Sequence, residues 1–236
     1  VNSNPKLEKG NKLQETYWNV VMHLSPINTK ICPYQDIAGC KTACLNTSGR
    51  GGIFKKGETT NVIQDARKRK TDLYLNDRDT FMAALIKDIH TFVRACDRKG
   101  KKPAIRLNGT SDIQWETIKV EGHDNIFAMF PQIQFYDYTK VYNRLAKDLP
   151  SNYHLTLSYS GANPEYARNV QAFADKYQAN LAVVFRDKNK IPHTYLGRPV
   201  INGDADDLRF PDPQGVVVAL YAKGQAKHDD SGFVID

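Results

Sequence analysis

The sequence contains no apolar run of the roughly 18 to 20 residues that a bilayer-crossing helix needs. Its polar start, residues 1–5, also lacks the apolar core of a signal peptide. With 236 residues, 41% of them apolar, the chain is long enough for one sizeable core. We expect a polar N-terminal arm over residues 1–16 and a single domain over residues 17–236, in a soluble cytoplasmic protein without a membrane partner.

Several sequence signatures of known chemistry are also missing. There is no Gly-x-Ser-x-Gly elbow, which argues against a hydrolase of the Ser-His-Asp type. There is no Cys-x2-Cys hook of the kind that structural zinc sites use. The glycines at residues 49–52 match no phosphate-loop fingerprint, so a flexible turn is the simplest interpretation of them.

Cysteine is scarce, but three of the four cysteines, Cys32, Cys40 and Cys44, fall within thirteen residues after a predicted first strand. A single cysteine would be interpreted as a small buried hydrophobe. This loop is otherwise polar and contains glycine, so it offers no apolar face for three buried sulfurs, and clustered cysteines in an intracellular chain favour a metal or iron–sulfur site. Three thiolates without a local fourth ligand suit a [4Fe-4S] cluster whose fourth iron stays open to a small-molecule ligand.

Zinc is the less favoured alternative, because no histidine lies at ligand spacing from the cysteines. His193 and His228 lie in late loops and remain candidates for a fourth ligand of zinc or of a cluster. Cys96 falls on the apolar stripe of a predicted helix over residues 79–98, so we assign it to the core, with a fourth cluster ligand as the alternative.

Along the rest of the chain, β-branched and aromatic runs alternate with helical periodicity. Strands alternating with helices imply parallel βαβ units, and we predict a partial (β/α)6 TIM-like barrel of mostly parallel strands. The predicted strands are residues 17–24, 101–107, 133–138, 153–158, 180–186 and 216–221, and the predicted helices are residues 59–75, 79–98, 141–148 and 164–177.

In parallel barrels the loops that leave the C-terminal ends of the strands share one face and carry the active site. The cysteines follow the first strand, and other polar residues follow the later strands. Each of these polar residues could equally be an ordinary hydrogen-bonding residue of its loop. The candidates for binding a cofactor are Asn108, Ser111, Asp112, Ser158, Ser160 and Arg186.

Charge is uneven along the chain. Residues 1–110 carry 20 Lys and Arg against 10 Asp and Glu, whereas residues 111–236 carry 13 against 16. The basic half, with its dense run Arg67, Lys68, Arg69 and Lys70, could contact nucleic acid or an acidic host protein. A solvated helix face is the alternative interpretation of this run.

Four segments together resemble the phage gene product 88 family over residues 17–236: the cysteine loop, residues 106–112, residues 135–140 and residues 203–224. That family looks like a divergent relative of the radical S-adenosylmethionine barrels. The resemblance implies a phage-encoded protein of the infected bacterial cytoplasm with a [4Fe-4S] cluster on the three clustered cysteines. It also implies S-adenosylmethionine as a possible ligand of the open iron, although the x7-x3 cysteine spacing differs from the x3-x2 spacing of that superfamily. An enzyme and a binding module with a structural or redox-sensing cluster both remain open.

Overall fold

The computed structural model of the chain describes residues 1–3, 5–13 and 15–236, without the side chains of residues 5, 6, 9 and 13. Five α-helices are present in this part of the chain: α1 Pro5–Leu13, α2 Val62–Asn76, α3 Arg78–Asp97, α4 Ile126–Met129 and α5 Pro164–Lys176. The strands are β1 Tyr17–Val21, β2 Lys102–Arg106, β3 Gln134–Thr139, β4 Tyr153–Ser158, β5 Leu181–Phe185, β6 Thr194–Tyr195, β7 Arg198–Asn202, β8 Val217–Tyr221 and β9 Val234–Ile235.

The strands form one mixed sheet in the order β1-β2-β3-β4-β5-β8-β7-β6, with β9 also paired to β5. Every pairing is parallel except that of β6 with β7. The six predicted strands are therefore β1 to β5 and β8, and they are neighbours in the predicted order. The prediction of a mostly parallel α/β sheet is confirmed.

A TIM-like barrel is not confirmed, because the sheet is open. Among the described residues, β1 and β6 end the sheet and do not pair with each other. After β5 the chain forms the β6–β7 hairpin at the edge and then returns as β8 between β5 and β7, so no further βα units follow to close a ring. β4 pairs with β5 over two residues only, and β9 pairs with β5 beyond them, at Val184 and Phe185.

Helices α2 and α3 cover one face of the sheet. Asn61 caps α2 by accepting hydrogen bonds from the N–H groups of Ile63 and Gln64, and Asp77 caps α3 in the same way through Thr80. The buried residues of α3 recur at helical spacing and meet β1 to β4 in the largest core cluster. Cys96 is fully buried in this core, as predicted.

The opposite face of the sheet is covered in part by the chain between β7 and β8. Successive side chains of a strand point to opposite faces, and Tyr136 lies on the face opposite to that of its neighbour Phe135. Leu208 packs with Tyr136 and Ala104 on that opposite face, and Phe210 packs against this group. The stretch before β8, in which the sequence predicted no helix or strand, therefore partly lines the sheet.

Two predictions of local structure are wrong. No helix was predicted in the N-terminal arm over residues 1–16, yet Pro5–Leu13 is helical with Leu7 fully buried. Asn4 and Gln14 lie outside the described residues. Residues 141–148 were expected to form an α-helix, yet only a 3-10 turn forms, over Tyr142–Ala146.

Candidate functional site at the carboxyl edge of the sheet

The loop that carries the clustered cysteines lies across the carboxyl ends of the parallel strands. Three hydroxyl groups from other loops at this edge fix its backbone. Thr110 donates to the carbonyl oxygen of Leu24 at 2.6 Å, Ser160 to that of Ala38 at 2.7 Å, and Ser231 to that of Gly39 at 3.3 Å. The loop is therefore held at the sheet edge where parallel α/β folds carry their sites.

Cys32, Cys40 and Cys44 are all free and partly buried at this edge. Burial raises the pKa of each thiol, and the thiols raise one another's pKa further, since Cys32 is affected by both others and Cys44 by Cys40. The three sulfurs thus lie close enough to interact electrostatically. Cys44 Sγ also accepts a hydrogen bond from the backbone N–H of Asn46 at 3.4 Å.

Lys140, at the end of β3, places a cation beside the three thiols. It lowers the pKa of Cys32, Cys40 and Cys44, against the larger effect of burial on each. Its ammonium group donates to Ser158 Oγ at 2.7 Å and lies 4.6 Å from the centre of the Phe233 ring. A positive charge fixed there favours thiolate over thiol.

Asp112 and Arg144 fix the carboxyl end of β3 through hydrogen bonds and an ion pair. Asp112 accepts hydrogen bonds from Thr139 Oγ1 at 2.8 Å, from the N–H of Lys140 at 2.7 Å and from Arg144 at 3.1 Å. The fully buried Arg144 also binds Glu116 through two nitrogens at 2.9 and 2.7 Å. Burial raises the pKa of Asp112, and the Arg144 guanidinium acts against that rise.

The other residues predicted to bind a cofactor lie at the same edge but bond mainly to the protein. Asn108 Oδ1 accepts from Ser111 Oγ, from the N–H of Ile113 and from Trp115 Nε1. Arg186 donates to the carbonyl oxygens of residues 227 and 229 and pairs with Asp236. Ser158 accepts the hydrogen bond from the Lys140 ammonium group, as described above. Cofactor binding by these residues stays a prediction.

The cysteines and the nearby acidic and histidine side chains are not arranged around a single metal ion. Among the described residues, no group of three or more His, Cys, Asp or Glu side chains is arranged to hold one. His193 and His228, the candidates for a fourth ligand, are both exposed. A single zinc ion would draw four ligand atoms to within about 4 Å of one another, whereas each cysteine of a cubane cluster binds a different iron.

A surface cavity of about 270 Å³ opens beside the cysteine loop, next to Cys32. Pro33 and Asp112 line it on the side of the sheet edge, and Lys30 and Arg78 bring positive charge to its rim. The Arg78 guanidinium stacks on Tyr74 with 3.6 Å between its carbon and the ring centre. The cavity is polar enough to admit a charged ligand.

Sequence reasoning missed two cations of this edge. Lys140 stood in a motif that carried the family resemblance, but no role was assigned to it. Arg67 was grouped with its neighbours as a nucleic-acid contact, yet its Nη1 donates to the carbonyl oxygen and Oδ1 of Asn46 at 2.8 and 2.9 Å, just beyond Cys44. The position of Lys140 directly after a strand was a usable signal, because the cysteines occupy the equivalent place after β1.

Comparison with known proteins gives one match. The model of the family described as Gene product 88 covers residues 1–236. No curated protein and no solved structure matches the chain. Within the described residues, every helix is too short or too polar to cross a lipid bilayer.

Proposed function

The chain belongs to the Gene product 88 family of phage proteins, and we propose that it is an iron–sulfur protein whose [4Fe-4S] cluster is bound by Cys32, Cys40 and Cys44. The observation that carries this proposal is that three free, partly buried thiols lie in one loop at the carboxyl edge of a parallel sheet and that the charge of Lys140 acts on each of them.

The environment of the thiols supports this proposal. Buried thiols resist ionisation, and bound metal reverses this because a coordinating thiol loses its proton. Lys140 and the N–H group of Asn46 would offset part of the negative charge on the sulfurs. Hydrogen bonds and charges around the sulfurs are the features that proteins use to tune an iron–sulfur cluster.

Such a cluster would supply one-electron transfer, and an iron without a cysteine would offer a position for a ligand with nitrogen and oxygen donors, S-adenosylmethionine being one candidate. The chain's own residues would hold the thiolates and exclude water from them. Asp112 and Arg144 would keep Lys140 in place by fixing the end of β3. A redox protein and a radical enzyme both use this arrangement, and they differ in what the open iron binds.

The test is metal and sulfide analysis of protein purified without oxygen, combined with an electron paramagnetic resonance spectrum of the reduced protein. We expect about four irons and four sulfides per chain. A spectrum that shifts on addition of S-adenosylmethionine would assign the open iron to that ligand, and an unchanged spectrum would favour the redox role. One zinc per chain without sulfide, even after anaerobic reconstitution, would contradict the cluster proposal.

A second candidate function is docking of an acidic protein onto the cysteine loop. Large apolar side chains are exposed along this loop and at the start of α2, and lysines and arginines alternate with them in the sequence. Exposed apolar groups within a charged surface mark protein contact sites, and the basic charge favours an acidic partner. The exposed apolar residues are Ile27, Ile37, Leu45, Ile53, Phe54 and Val62.

Pull-down from infected cells at two salt concentrations, with wild type and an Ile53→Ser, Phe54→Ser double variant, tests this second function. A specific acidic protein should be captured by the wild type alone, and less of it at high salt. Equal capture by both proteins would contradict docking at this loop.

A further inference from the structure

The dense basic run of α2 is divided by the helix into two faces. Lys68 and Arg69 are exposed, whereas Arg67 and Lys70 are partly buried. Residues three apart share a helix face, so Arg67 and Lys70 lie on the same side, toward the protein. The inward side of α2 therefore carries two cations where an amphipathic helix usually places apolar groups.

The inward cations meet two further basic side chains at the carboxyl ends of β1 and β2. His23 follows β1, and its pKa is lowered to about 3, first by burial and then by Arg67, Arg106 and Lys70. The imidazole is thus neutral near pH 7, and it feels the charges of these three cations and, in the opposite direction, that of Asp207. We call His23, Arg67, Lys70 and Arg106 the inward basic cluster.

Carboxylates compensate this cluster only in part. Arg106 Nη1 lies 3.5 Å from Asp207 and its Nε lies 4.0 Å from Asp137. Arg67 bonds to the uncharged Asn46, and Lys70 forms no ion pair or hydrogen bond within the described part of the chain, although Asp88 acts on it at longer range. Like charges gathered in a partly buried place are unfavourable unless an anion offsets them.

Two buried nitrogens of the inward basic cluster also lack any hydrogen-bond partner. They are His23 Nδ1 and Arg106 Nε. Buried polar atoms are almost always paired, so each exception needs an explanation such as a missing ion or ligand. The unpaired Arg106 Nε–H group is a donor, and His23 Nδ1 is a donor in one of its two neutral tautomers. Donors beside cations that carboxylates offset only in part have the chemistry of an anion site.

We propose that the inward basic cluster binds an anionic group, a phosphate or a carboxylate, of a small ligand that reaches the cysteine loop. Arg67 connects the two places, because it bonds Asn46 and acts electrostatically on Cys44. This inference deepens the proposed function by stating the charge of the ligand. The partial burial of Arg67 and Lys70 favours a small anion over the backbone of a nucleic-acid duplex.

Thermal melting of the purified chain tests the site, with inorganic phosphate as the probe and sodium chloride of equal ionic strength as the reference. A ligand that binds the native state alone raises Tm in proportion to its occupancy. The variants are Arg67→Gln and Lys70→Gln, with Lys68→Gln and Arg69→Gln as matched controls. All four remove one positive charge from the same helix, but the control side chains are exposed.

We expect phosphate to raise the Tm of the wild type and of both controls, with apparent affinities within twofold of one another. The Arg67→Gln and Lys70→Gln variants should bind at least tenfold more weakly. Lys70→Gln is decisive if Arg67→Gln loosens the loop, because Lys70 makes no hydrogen bond that its loss would break. The site is refuted if the wild type shows no shift, or if inward and exposed variants behave alike.

Two further experiments are informative. The first distinguishes a small anion from a nucleic acid as the ligand, and the second distinguishes failure of the anion site from failure of the cluster proposal. A single-stranded oligonucleotide that binds through the helix should lose affinity in the control variants as much as in the inward ones, and that result would overturn the small-anion site. Phosphate binding that depends on Arg67 and Lys70, in protein that takes up no iron and sulfide on anaerobic reconstitution, would establish the anion site while contradicting the cluster.

Discussion

Replacing Gly39 with alanine should loosen the cysteine loop more than the same change at Gly49. Both glycines have positive φ, +64° and +57°, in the same loop. A left-handed backbone costs an alanine about 1–2 kcal/mol, and this cost is common to the two variants. Their surroundings differ, because a Cβ at Gly39 would lie 2.6 Å from Ala162 Cβ and 2.9 Å from Ser231 Oγ, whereas a Cβ at Gly49 would meet nothing within 4 Å.

The clash at Gly39 adds the cost of overpacking, about 1–3 kcal/mol. We therefore expect Gly39→Ala to lower the free energy of unfolding by about 2–5 kcal/mol and Gly49→Ala by about 1–2 kcal/mol. If the loop relieves the clash by moving, Cys40 moves with it, since it is the next residue. Gly39→Ala should then also take up less iron than Gly49→Ala.

Urea denaturation followed by circular dichroism measures the first quantity, and iron analysis after anaerobic reconstitution measures the second. Each variant is compared with wild type prepared in parallel. Equal destabilisation and equal iron content in the two variants would refute the packing of Gly39 against the loops after β4 and β8.

Three other predictions concern the supports of the site. Arg144→Met should lower the free energy of unfolding, measured by urea denaturation, by about 3–5 kcal/mol, because it leaves two buried carboxylates without their cation. The exposed Arg168→Met is the control, and equal effects of the two variants would contradict the prediction. Burial raises the pKa of Asp137 to about 7. The free energy of unfolding of the wild type, minus that of Asp137→Asn, should therefore fall as pH rises from about 4 to 7. An increase of this difference with pH, measured by urea denaturation, would contradict the prediction. Lys140→Met should make the reduction potential of a bound cluster more negative by about 40 mV, since roughly 1 kcal/mol of attraction to the added electron is lost. The exposed Lys147→Met is the control and should keep the wild-type potential in a redox titration. Equal potentials in the two variants would contradict the prediction.

The order of the main strands was predictable because β-branched and aromatic runs marked each one, and parallel connectivity then fixed which loops share an edge. The same reasoning brought the cysteines to the loops after β2, β3 and β4. The open edge of the sheet was not predictable, since the β6–β7 hairpin that forms it is short and contains Pro199, which weakens a strand signal.

The missed elements depended on contacts far apart in sequence. Helix α1 is polar and contains Gly10, but Asn11 exchanges two hydrogen bonds with the backbone of Asn19 on β1. The segment after β3 has helix-forming residues, yet Arg144 is drawn into the sheet edge by Asp112 and Glu116, and a 3-10 turn results. Local propensity is a weak guide where such tertiary contacts decide.

The division of the basic run on α2 could have been found from the sequence. The prediction treated Arg67 to Lys70 as one surface patch, although helical geometry separates positions three apart from those between them. The position of Lys140 after a strand indicated the sheet edge, but its effect on all three thiols depends on how the cysteine loop crosses that edge.

Iron and sulfide content of four single variants, Cys32→Ala, Cys40→Ala, Cys44→Ala and Cys96→Ala, tests the central claim most directly. All are prepared and reconstituted without oxygen beside the wild type. Our account predicts about four irons and four sulfides in the wild type and in Cys96→Ala, because Cys96 lies in the hydrophobic core against which α3 packs. It predicts a lost or depleted cluster in each of the other three. Iron and sulfide that are absent from the wild type, or unaffected by the loss of any clustered cysteine, would contradict it.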